Sequence, residues 1–406
     1  MKSVGIICEC NPFHSGHRYL IEQAKAAGAD CVVALMSGCF VQRGEPAIAD
    51  PYSRACAVIA GGADVVLELP FPYASASSEF FGAAGVDILS RLSVDELWFG
   101  SECGDIDLLQ RAADVASSEA FIQKYAAESE KKQGTAEAFF ACLNKYLDTN
   151  VKFSSNDILG ISYLGAIKKL KSSMKAVTRK REGSAYRDDV LRAKEHPSAT
   201  ALRRLLLFND LAACRGRLLP QTADALQEAD EQGTAMATLT LAERAVLAHL
   251  RMQSSEQINQ VAELEGGLGN RLLHAAEKAD SFEELLKLAS TKKYTQARIQ
   301  RGILYSITGV GAEDLRSAPA YVRVLAANAT GCTFLAKNRK GARIATVTRQ
   351  AELPTDTQAQ RQEELHRRAV GLYTLCLPKP AGIEMLMKKN PKIIRDTDDF
   401  EITRRF

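Results

Sequence analysis

Two histidines, three residues apart, stand where a predicted strand gives way to a predicted helix. The stretch reads Glu-Cys-Asn-Pro-Phe-His-Ser-Gly-His and contains His14, Gly16 and His17. Imidazolium donors here can stabilise the charge that builds on phosphates when an α-phosphate is attacked and pyrophosphate leaves. Gly16 lets the backbone approach a phosphate at a helix N-terminus. We predict nucleotide handling; the alternatives are a structural histidine pair that caps a helix, or part of a metal site.

Polar residues also follow three other predicted strands. The loop after the second strand carries Gln42 and Arg43, which can contact a carboxylate or a phosphate, although a loop rich in glycine and proline needs no ligand. Gly100 follows the fourth strand and can let a base or ribose lie against the backbone. Arg181 belongs to a dense cationic turn after the fifth strand, which suits phosphates.

Two helix starts and two strand-end glutamates complete the candidates. Asn156 lies in a Ser-Ser-Asn-Asp helix start, where such a residue is most often a cap. Thr200 and Arg203 belong to a hydroxyl-rich helix start that resembles a phosphate cradle. Glu9 and Glu102 are candidates for a general base. Each residue has a plain interpretation as a cap or a solvated charge, but their occurrence at successive strand ends favours one shared site.

A parallel α/β sheet is the element that brings strand-end residues together, because ligands of such sheets bind at the carboxyl ends of the strands. The first 100 residues alternate short apolar runs with amphipathic stretches, which predicts βα units. Beyond about residue 211 the spacing is helical. We predict strands over residues 4–8, 31–36, 65–69, 96–99 and 175–178, helices over 16–27, 50–59, 198–207 and much of 211–290, and a late strand or two within 333–348.

Length and charge divide the chain into two parts. It has 406 residues, of which 46% are hydrophobic and 25% charged, as in folded proteins of two or three domains. Residues 1–150 hold 11 of the 52 basic and 20 of the 49 acidic residues, a net charge of −9, which leaves +12 for the rest. We predict an open parallel-sheet, Rossmann-like catalytic domain over 1–210. A mostly α-helical, basic domain over 211–406 is predicted to hold a polyanion such as RNA.

Metal frameworks and membrane insertion are both disfavoured. The ten cysteines include no C-x-x-C pair and are interpreted as reduced, buried small hydrophobes, so we predict no structural metal. No apolar run approaches the roughly 18 residues that span a bilayer, and the N-terminus lacks the order of a signal peptide. We therefore predict a cytoplasmic protein with no membrane partner.

One segment of the basic part combines cations with an aromatic residue. It carries Lys292, Lys293, Arg298 and Arg301. On a helix, Tyr294, Arg298 and Arg301 follow one another at spacings of four and three. This spacing predicts a basic stripe with an aromatic that faces RNA; the alternative is a solvated helix face.

These motifs together resemble a known family. The His-x-Gly-His run of residues 11–17 resembles the nucleotidyltransferase superfamily that shares its fold with class I aminoacyl-tRNA synthetases, and residues 198–203 resemble its second phosphate-binding signature. The chain as a whole resembles the bacterial tRNA(Met) cytidine acetate ligase family. The stretches that carry this closer resemblance are residues 5–17, 36–47, 99–102, 155–164 and 291–301.

The resemblance implies an ATP-dependent, tRNA-modifying ligase. Such an enzyme activates acetate as acetyl-adenylate, with Mg²⁺ expected on the ATP phosphates, and transfers the acetyl group to N4 of the wobble cytidine of elongator tRNA(Met). His14 and His17 are then the expected catalytic residues. The expected ATP-binding residues are Cys8, Asn11, Pro12, Phe13, His14, Gly16, His17, Gly100, Asn156, Arg181, Thr200 and Arg203.

The sequence departs from the expected motifs at three positions, and two other functions remain open. The family usually has an aromatic residue where Cys10 stands and asparagine where Cys39 stands, and Ala199 replaces a hydroxyl of the superfamily's second signature. A small-molecule adenylyltransferase would share the histidine loop but does not need a basic helical domain of this size. A non-catalytic RNA-binding protein with a nucleotide-sensing pocket is the third hypothesis.

Overall fold

The computed structural model describes residues 1–131, 135–181, 199–208, 211–339 and 341–394. A mixed sheet of eight strands lies at its centre. The strands are β1 (Ser3–Cys8), β2 (Cys31–Ser37), β3 (Val65–Leu69), β4 (Glu96–Ser101), β5 (Lys175–Lys180), β6 (Tyr321–Ala327), β7 (Ala345–Val347) and β8 (Lys392–Ile393).

Helices cover both faces of the sheet and form most of the chain after β5. The helices of the first half are α1 (Ser15–Ala26), α2 (Pro51–Ala60), α3 (Ser78–Arg91), α4 (Ile106–Ala116), α5 (Glu119–Lys131), α6 (Thr135–Leu147), α7 (Ser155–Lys169) and α8 (Ala199–Phe208). Those of the second half are α9 (Leu211–Cys214), α10 (Pro220–Glu231), α11 (Glu243–Arg251), α12 (Ser255–Asn259), α13 (Leu268–Lys278), α14 (Phe282–Ala289), α15 (Gln296–Thr308), α16 (Ala312–Arg316), α17 (Ala329–Asn338), α18 (Thr357–Leu375) and α19 (Glu384–Met387).

The order of the strands indicates at which edge of the sheet a ligand is expected to bind. Strands β5, β4, β1, β2 and β3 lie side by side and run parallel. Their order reverses between β1 and β4, and a crevice at the carboxyl ends of the strands is expected at such a point. Side chains alternate along β2, so that Val33 and Leu35 enter one buried core and Val32 and Ala34 another. Burial on both faces explains why β1, β2 and β3 are nearly continuous apolar runs.

The five predicted parallel strands and the predicted start of α2 are confirmed. Asp50 caps α2 by accepting hydrogen bonds from the backbone N–H groups of Tyr52 and Ser53, and Pro51 is its first residue. Ser198, the predicted cap of α8, lies outside the described residues.

The later part of the chain differs from the prediction. The late strand predicted within 333–348 is confirmed as the short β7, whereas most of the first half of that stretch belongs to helix α17. Strand β6 was not predicted, yet it pairs antiparallel with β3, Val65 lying opposite Ala327. Sequence periodicity did not reveal β6 because its partner lies more than 250 residues away. The C-terminal part thus returns to the sheet as well as forming a separate helical core.

Candidate active site

A cavity of about 490 Å³ opens at the carboxyl ends of β1, β4 and β5. Residues from the first strand-end loop (residues 9–14, hereafter the first loop), α1, α7 and α8 also line it. Of the predicted nucleotide-binding residues, those that line the cavity are Cys8, Asn11, His14, Gly16, His17, Gly100, Asn156, Arg181 and Thr200. The fold therefore brings together side chains that lie almost 200 residues apart in sequence.

His14 and His17 hold each other at the start of α1. His14 is the N-cap residue, and its Nδ1 accepts a hydrogen bond from the backbone N–H of Gly16 at 3.0 Å. His17 Nδ1 accepts from the backbone N–H of His14 at 3.3 Å, and the ring centroids are 3.9 Å apart. The capping role considered for this pair is thus confirmed. Because each Nδ1 accepts a hydrogen bond, the ring proton of each histidine resides on Nε2.

The electrostatics of His17 correct one expectation. Burial, assisted by the positive charge of Arg181, lowers the pKa of His17 to about 3. The ring is therefore neutral at pH 7, and the imidazolium predicted at this position is wrong. A neutral Nε2–H still donates a hydrogen bond, so the site retains a donor without placing a second positive charge beside Arg181.

Pro12 and Phe13 lie behind the loop, away from the cavity. Phe13 is 1% exposed, and its ring stacks on that of His17 with centroids 5.7 Å apart. Its close packing against Gly61 leaves no space for a Cβ there, which would lie 2.2 Å from the Phe13 ring. Phe13 therefore supports the histidine pair, and neither residue lines the cavity.

At the β4–β5 end of the cavity, the Glu102 carboxylate holds the side chains of Asn156 and Arg181. Asn156 Nδ2 donates to Glu102 Oε1 at 2.6 Å, and Arg181 Nε lies 3.6 Å from the same oxygen. Ser154 is the N-cap residue of α7, and its hydroxyl donates to the other carboxylate oxygen. Asn156 is therefore not the cap. A Cβ on Gly100 would lie 3.1 Å from Arg181 Cγ, so the glycine gives this side chain its path across β4.

Asp157 was missed, although the sequence contained a signal for it. This carboxyl is 1% exposed and accepts hydrogen bonds from the backbone N–H groups of Glu102 and Cys103 at 3.0 and 3.1 Å. It also completes a capping box with Ser154. A serine followed three residues later by an acidic residue is the pattern of such a box, and here the box also shapes the loop after β4.

Arg54 was missed as well, and it joins the two strand-end loops. This side chain is 3% exposed and comes from α2. It donates to the carbonyl oxygens of Glu9 (2.7 Å), Ser37 (2.8 Å), Ala49 (3.0 Å) and Gly38. Its charge is thus compensated by four carbonyl dipoles, and it fixes the first loop against the segment 38–50 that follows β2, hereafter the second loop.

The second loop and α8 close the other end of the cavity. Gln42 lines the cavity, whereas Arg43 is half-buried and does not line it. The backbone N–H of Gln42 donates to Glu9 Oε1 at 3.0 Å. Arg203 Nη1 donates to the backbone oxygen of Asn11 at 2.8 Å. Arg203 therefore organises the first loop from behind, whereas Thr200 of the predicted cradle lines the cavity, together with its neighbour Ala199.

The predicted basic stripe does not form. Thr295 caps α15, so Tyr294 precedes the helix; it is 8% exposed and donates to the carbonyl of Gly266 at 2.5 Å. Arg301 makes a two-fold hydrogen bond to the Glu263 carboxylate at 3.0 and 3.1 Å. Arg298 donates to the Glu263 carbonyl at 2.9 Å. Spacing alone does not reveal these internal partners.

Lys292 and Lys293 are exposed, as an RNA-binding role requires. Within the described ranges, no group of three or more metal-ligating side chains occurs. The described helices also include none that is long and apolar enough to cross a bilayer.

The family comparison agrees with this geometry. Residues 1–385 match the model described as HIGH Nucleotidyl Transferase. The fold and the site therefore define a nucleotidyltransferase of the HIGH class. A relative from Acetivibrio thermocellus, named tRNA(Met) cytidine acetate ligase, is 34% identical over 94% of this chain and 96% of its own length.

Solved structures agree as well. Thermotoga maritima TmcAL in its apo form superposes with a TM-score of 0.91 at 28% identity, covering 98% of this chain and all of its own. The same protein bound with alpha-thio ATP superposes with a TM-score of 0.88 at the same identity and coverage. The chain belongs to the tRNA(Met) cytidine acetate ligase family.

Proposed function

We propose that this protein activates acetate with ATP and transfers the acetyl group to N4 of the wobble cytidine of elongator tRNA(Met), giving N4-acetylcytidine. The observation that carries the proposal is the cavity at the carboxyl ends of β1, β4 and β5, into which the paired histidines, Asn156 and Arg181 converge. The relatives' shared name and the alpha-thio ATP bound to the Thermotoga protein support the choice of substrates.

In the first step an acetate oxygen attacks the α-phosphorus of ATP. The bond from that phosphorus to the bridging oxygen breaks, pyrophosphate leaves, and acetyl-adenylate forms. Negative charge grows on the phosphate oxygens in this step, and the Nε2–H of His17 and the guanidinium of Arg181 stabilise it. Mg²⁺ would arrive bound to the ATP phosphates. Glu9 and Glu22, the acidic residues that line the described cavity, would hold it, because Mg²⁺ commonly uses one or two carboxylates besides phosphate.

In the second step the cytidine amine attacks the acetyl carbon and AMP leaves. The amine is a weak nucleophile, which is why a mixed anhydride is needed. An anticodon loop is single-stranded, so its cytidine can be turned outward into the cavity. The domain assignment belongs to this proposal: residues 1–210 perform the chemistry, and the helices of 211–406, with Lys292 and Lys293, hold the tRNA. Location in the cytoplasm also belongs to it.

Acetylation of purified tRNA tests the proposal. Radiolabelled acetate, ATP and either elongator or initiator tRNA(Met) are incubated with the protein, and label is counted in precipitated RNA, with acetyl-coenzyme A as a competing donor. We expect ATP-dependent label in elongator tRNA alone. Pyrophosphate exchange that responds to another acid or to a nucleotide, with tRNA unlabelled, would support a small-molecule adenylyltransferase instead.

Alanine variants of two histidines, one in the cavity and one on the surface, provide a matched comparison. We expect His17→Ala to lower the rate roughly 100-fold, as the loss of one preorganised donor does. His274→Ala changes a histidine whose side chain is 76% exposed, and it should leave the rate unchanged. Equal rates for both variants and the wild type would contradict the role of His17.

A further inference from the structure

Helix α8 presents an aromatic ring to solvent. Its buried face consists of Ala201, Leu202 and Leu206. Phe208, the last residue of the helix, is 79% exposed, which is the largest exposed fraction of any aromatic side chain in the described ranges, and its neighbour Leu207 is 43% exposed. Single exposed apolar side chains are common on protein surfaces. Phe208 differs from them in the position of the helix face to which it belongs.

The exposed face of α8 begins in the wall of the cavity. Thr200 lines the cavity, and Arg204 and Phe208 follow it at intervals of four residues, so the three lie along one face of the helix. At a rise of about 1.5 Å per residue, the Cα atoms of Thr200 and Phe208 are roughly 12 Å apart along the helix axis. A short single strand that enters the cavity can therefore lie along this face.

The surroundings of this face are positively charged. Between residues 203 and 217 the sequence contains four arginines and one acidic residue. Arg204 is exposed on the face itself, and Arg215 and Arg217 are exposed in the turn that follows α9, a helix that packs against α8. Asp224 pairs with Arg215, but both side chains are about half exposed, so this ion pair is weak. The charge favours a polyanion as the partner of this face.

We propose that this face of α8 guides the single-stranded anticodon loop of the tRNA into the cavity, with Phe208 stacked on a base near the cytidine and Arg204 bound to a phosphate between them. The inference rests on the proposed function. Aromatic rings stack on unpaired bases, and a cationic groove follows the backbone, in proteins that bind single-stranded RNA. Neither residue lines the cavity, so both act as positioning residues.

Phe208→Ala tests the surface without removing a core side chain. Filter binding is measured with two RNAs, the anticodon stem-loop of elongator tRNA(Met) and a duplex of the same stem without its loop. We expect the variant to raise the Kd for the stem-loop about tenfold, as for the loss of one stacked base, and to leave the Kd for the duplex unchanged. Phe208→Trp should retain the affinity of the wild type. Acetate-dependent pyrophosphate exchange without RNA should stay at the wild-type rate in both variants.

Two more variants separate charge and stacking from a general surface effect. Arg204→Gln should weaken binding of the stem-loop and reduce the slope of log Kd against log salt concentration by about one, as for one lost phosphate contact. Ile122→Ala removes an apolar side chain that is 54% exposed on α5, and it serves as the matched control. This control should bind the stem-loop like the wild type.

An unchanged Kd of Phe208→Ala for the stem-loop overturns the proposal, and so does an equal loss of affinity for the duplex or in Ile122→Ala. Sedimentation that shows a dimer of the wild type and a monomer of Phe208→Ala, with equal affinity for RNA, would assign the face to self-association instead. Failure of the wild type to acetylate elongator tRNA overturns the proposed function. Acetylation by the wild type, together with unaltered RNA binding by Phe208→Ala, overturns only the role of this face.

Discussion

Glu68 offers a sharp test of the electrostatics at the core of the sheet. It lies near the end of β3, is 3% exposed, and its Oε1 is 3.7 Å from Nδ1 of His366, whose side chain is 14% exposed. Burial raises the pKa of Glu68 from 4.5 to about 7, although the Arg323 guanidinium opposes the rise. The folded protein therefore holds this proton more tightly than the unfolded chain does.

The sign and size of the pH effect follow from linkage. The free energy of unfolding loses the Glu68 contribution as the pH rises from 4.5 to about 7, because ionisation is easier in the unfolded chain. At about 1.4 kcal/mol per pH unit the full loss is about 3 kcal/mol. Roughly 2 kcal/mol of it falls between pH 5.5 and pH 8. Glu68→Gln does not ionise, so its stability relative to the wild type should improve by that amount across this interval.

Denaturant unfolding of both proteins at several pH values measures this difference. Comparing the two proteins cancels groups that titrate equally in both. Burial keeps the pKa of the neighbouring His366 well below its usual value, with Arg323 adding to the effect. Glu277→Gln, at an exposed position, serves as the control and should give a flat difference. Parallel curves for Glu68→Gln and the wild type would falsify the reasoning.

Three further predictions concern the loops and the RNA surface. Arg54→Lys should destabilise the protein by about 3 kcal/mol, because several carbonyls lose a donor; an unchanged denaturation midpoint would contradict this. Gly44→Ala should cost at least about 2 kcal/mol, since φ is +76° and the new Cβ would lie 2.7 Å from the backbone nitrogen of Arg301; normal melting would refute it. Lys292→Glu with Lys293→Glu should raise the Kd for tRNA about tenfold in filter binding and leave pyrophosphate exchange intact; unchanged affinity would exclude these lysines.

Local patterns predicted the parallel half of the sheet well. Apolar runs such as β1 and β2 are buried on both faces, so their hydrophobicity is continuous and easily recognised. The start of α2 was equally clear, because Asp50 and Pro51 form a cap and first residue of the usual types. In these cases the structure is decided by residues close together in the chain.

Long-range partners explain what the sequence could not reveal. Arg54 resembles a solvated helix residue, and its true partners are four carbonyls from two loops and the end of β2. Tyr294 and Arg301 have the spacing of a surface stripe, but Gly266 and Glu263 bind them internally. Nothing in the local spacing of these side chains identifies a partner that the fold alone brings near.

The second loop is the mechanical link between the cavity and the C-terminal helices. Gln42 of this loop lines the cavity. Gly44 packs against the backbone of α15, and the Tyr373 hydroxyl of α18 donates to the carbonyl of Ala47 at 3.1 Å. Since Arg54 also ties the loop to the first loop, a shift of α15 or α18 must either carry Gln42 with it or break these contacts. A tRNA held by these helices, as proposed above, would therefore alter the Gln42 side of the cavity directly, without passing through the sheet.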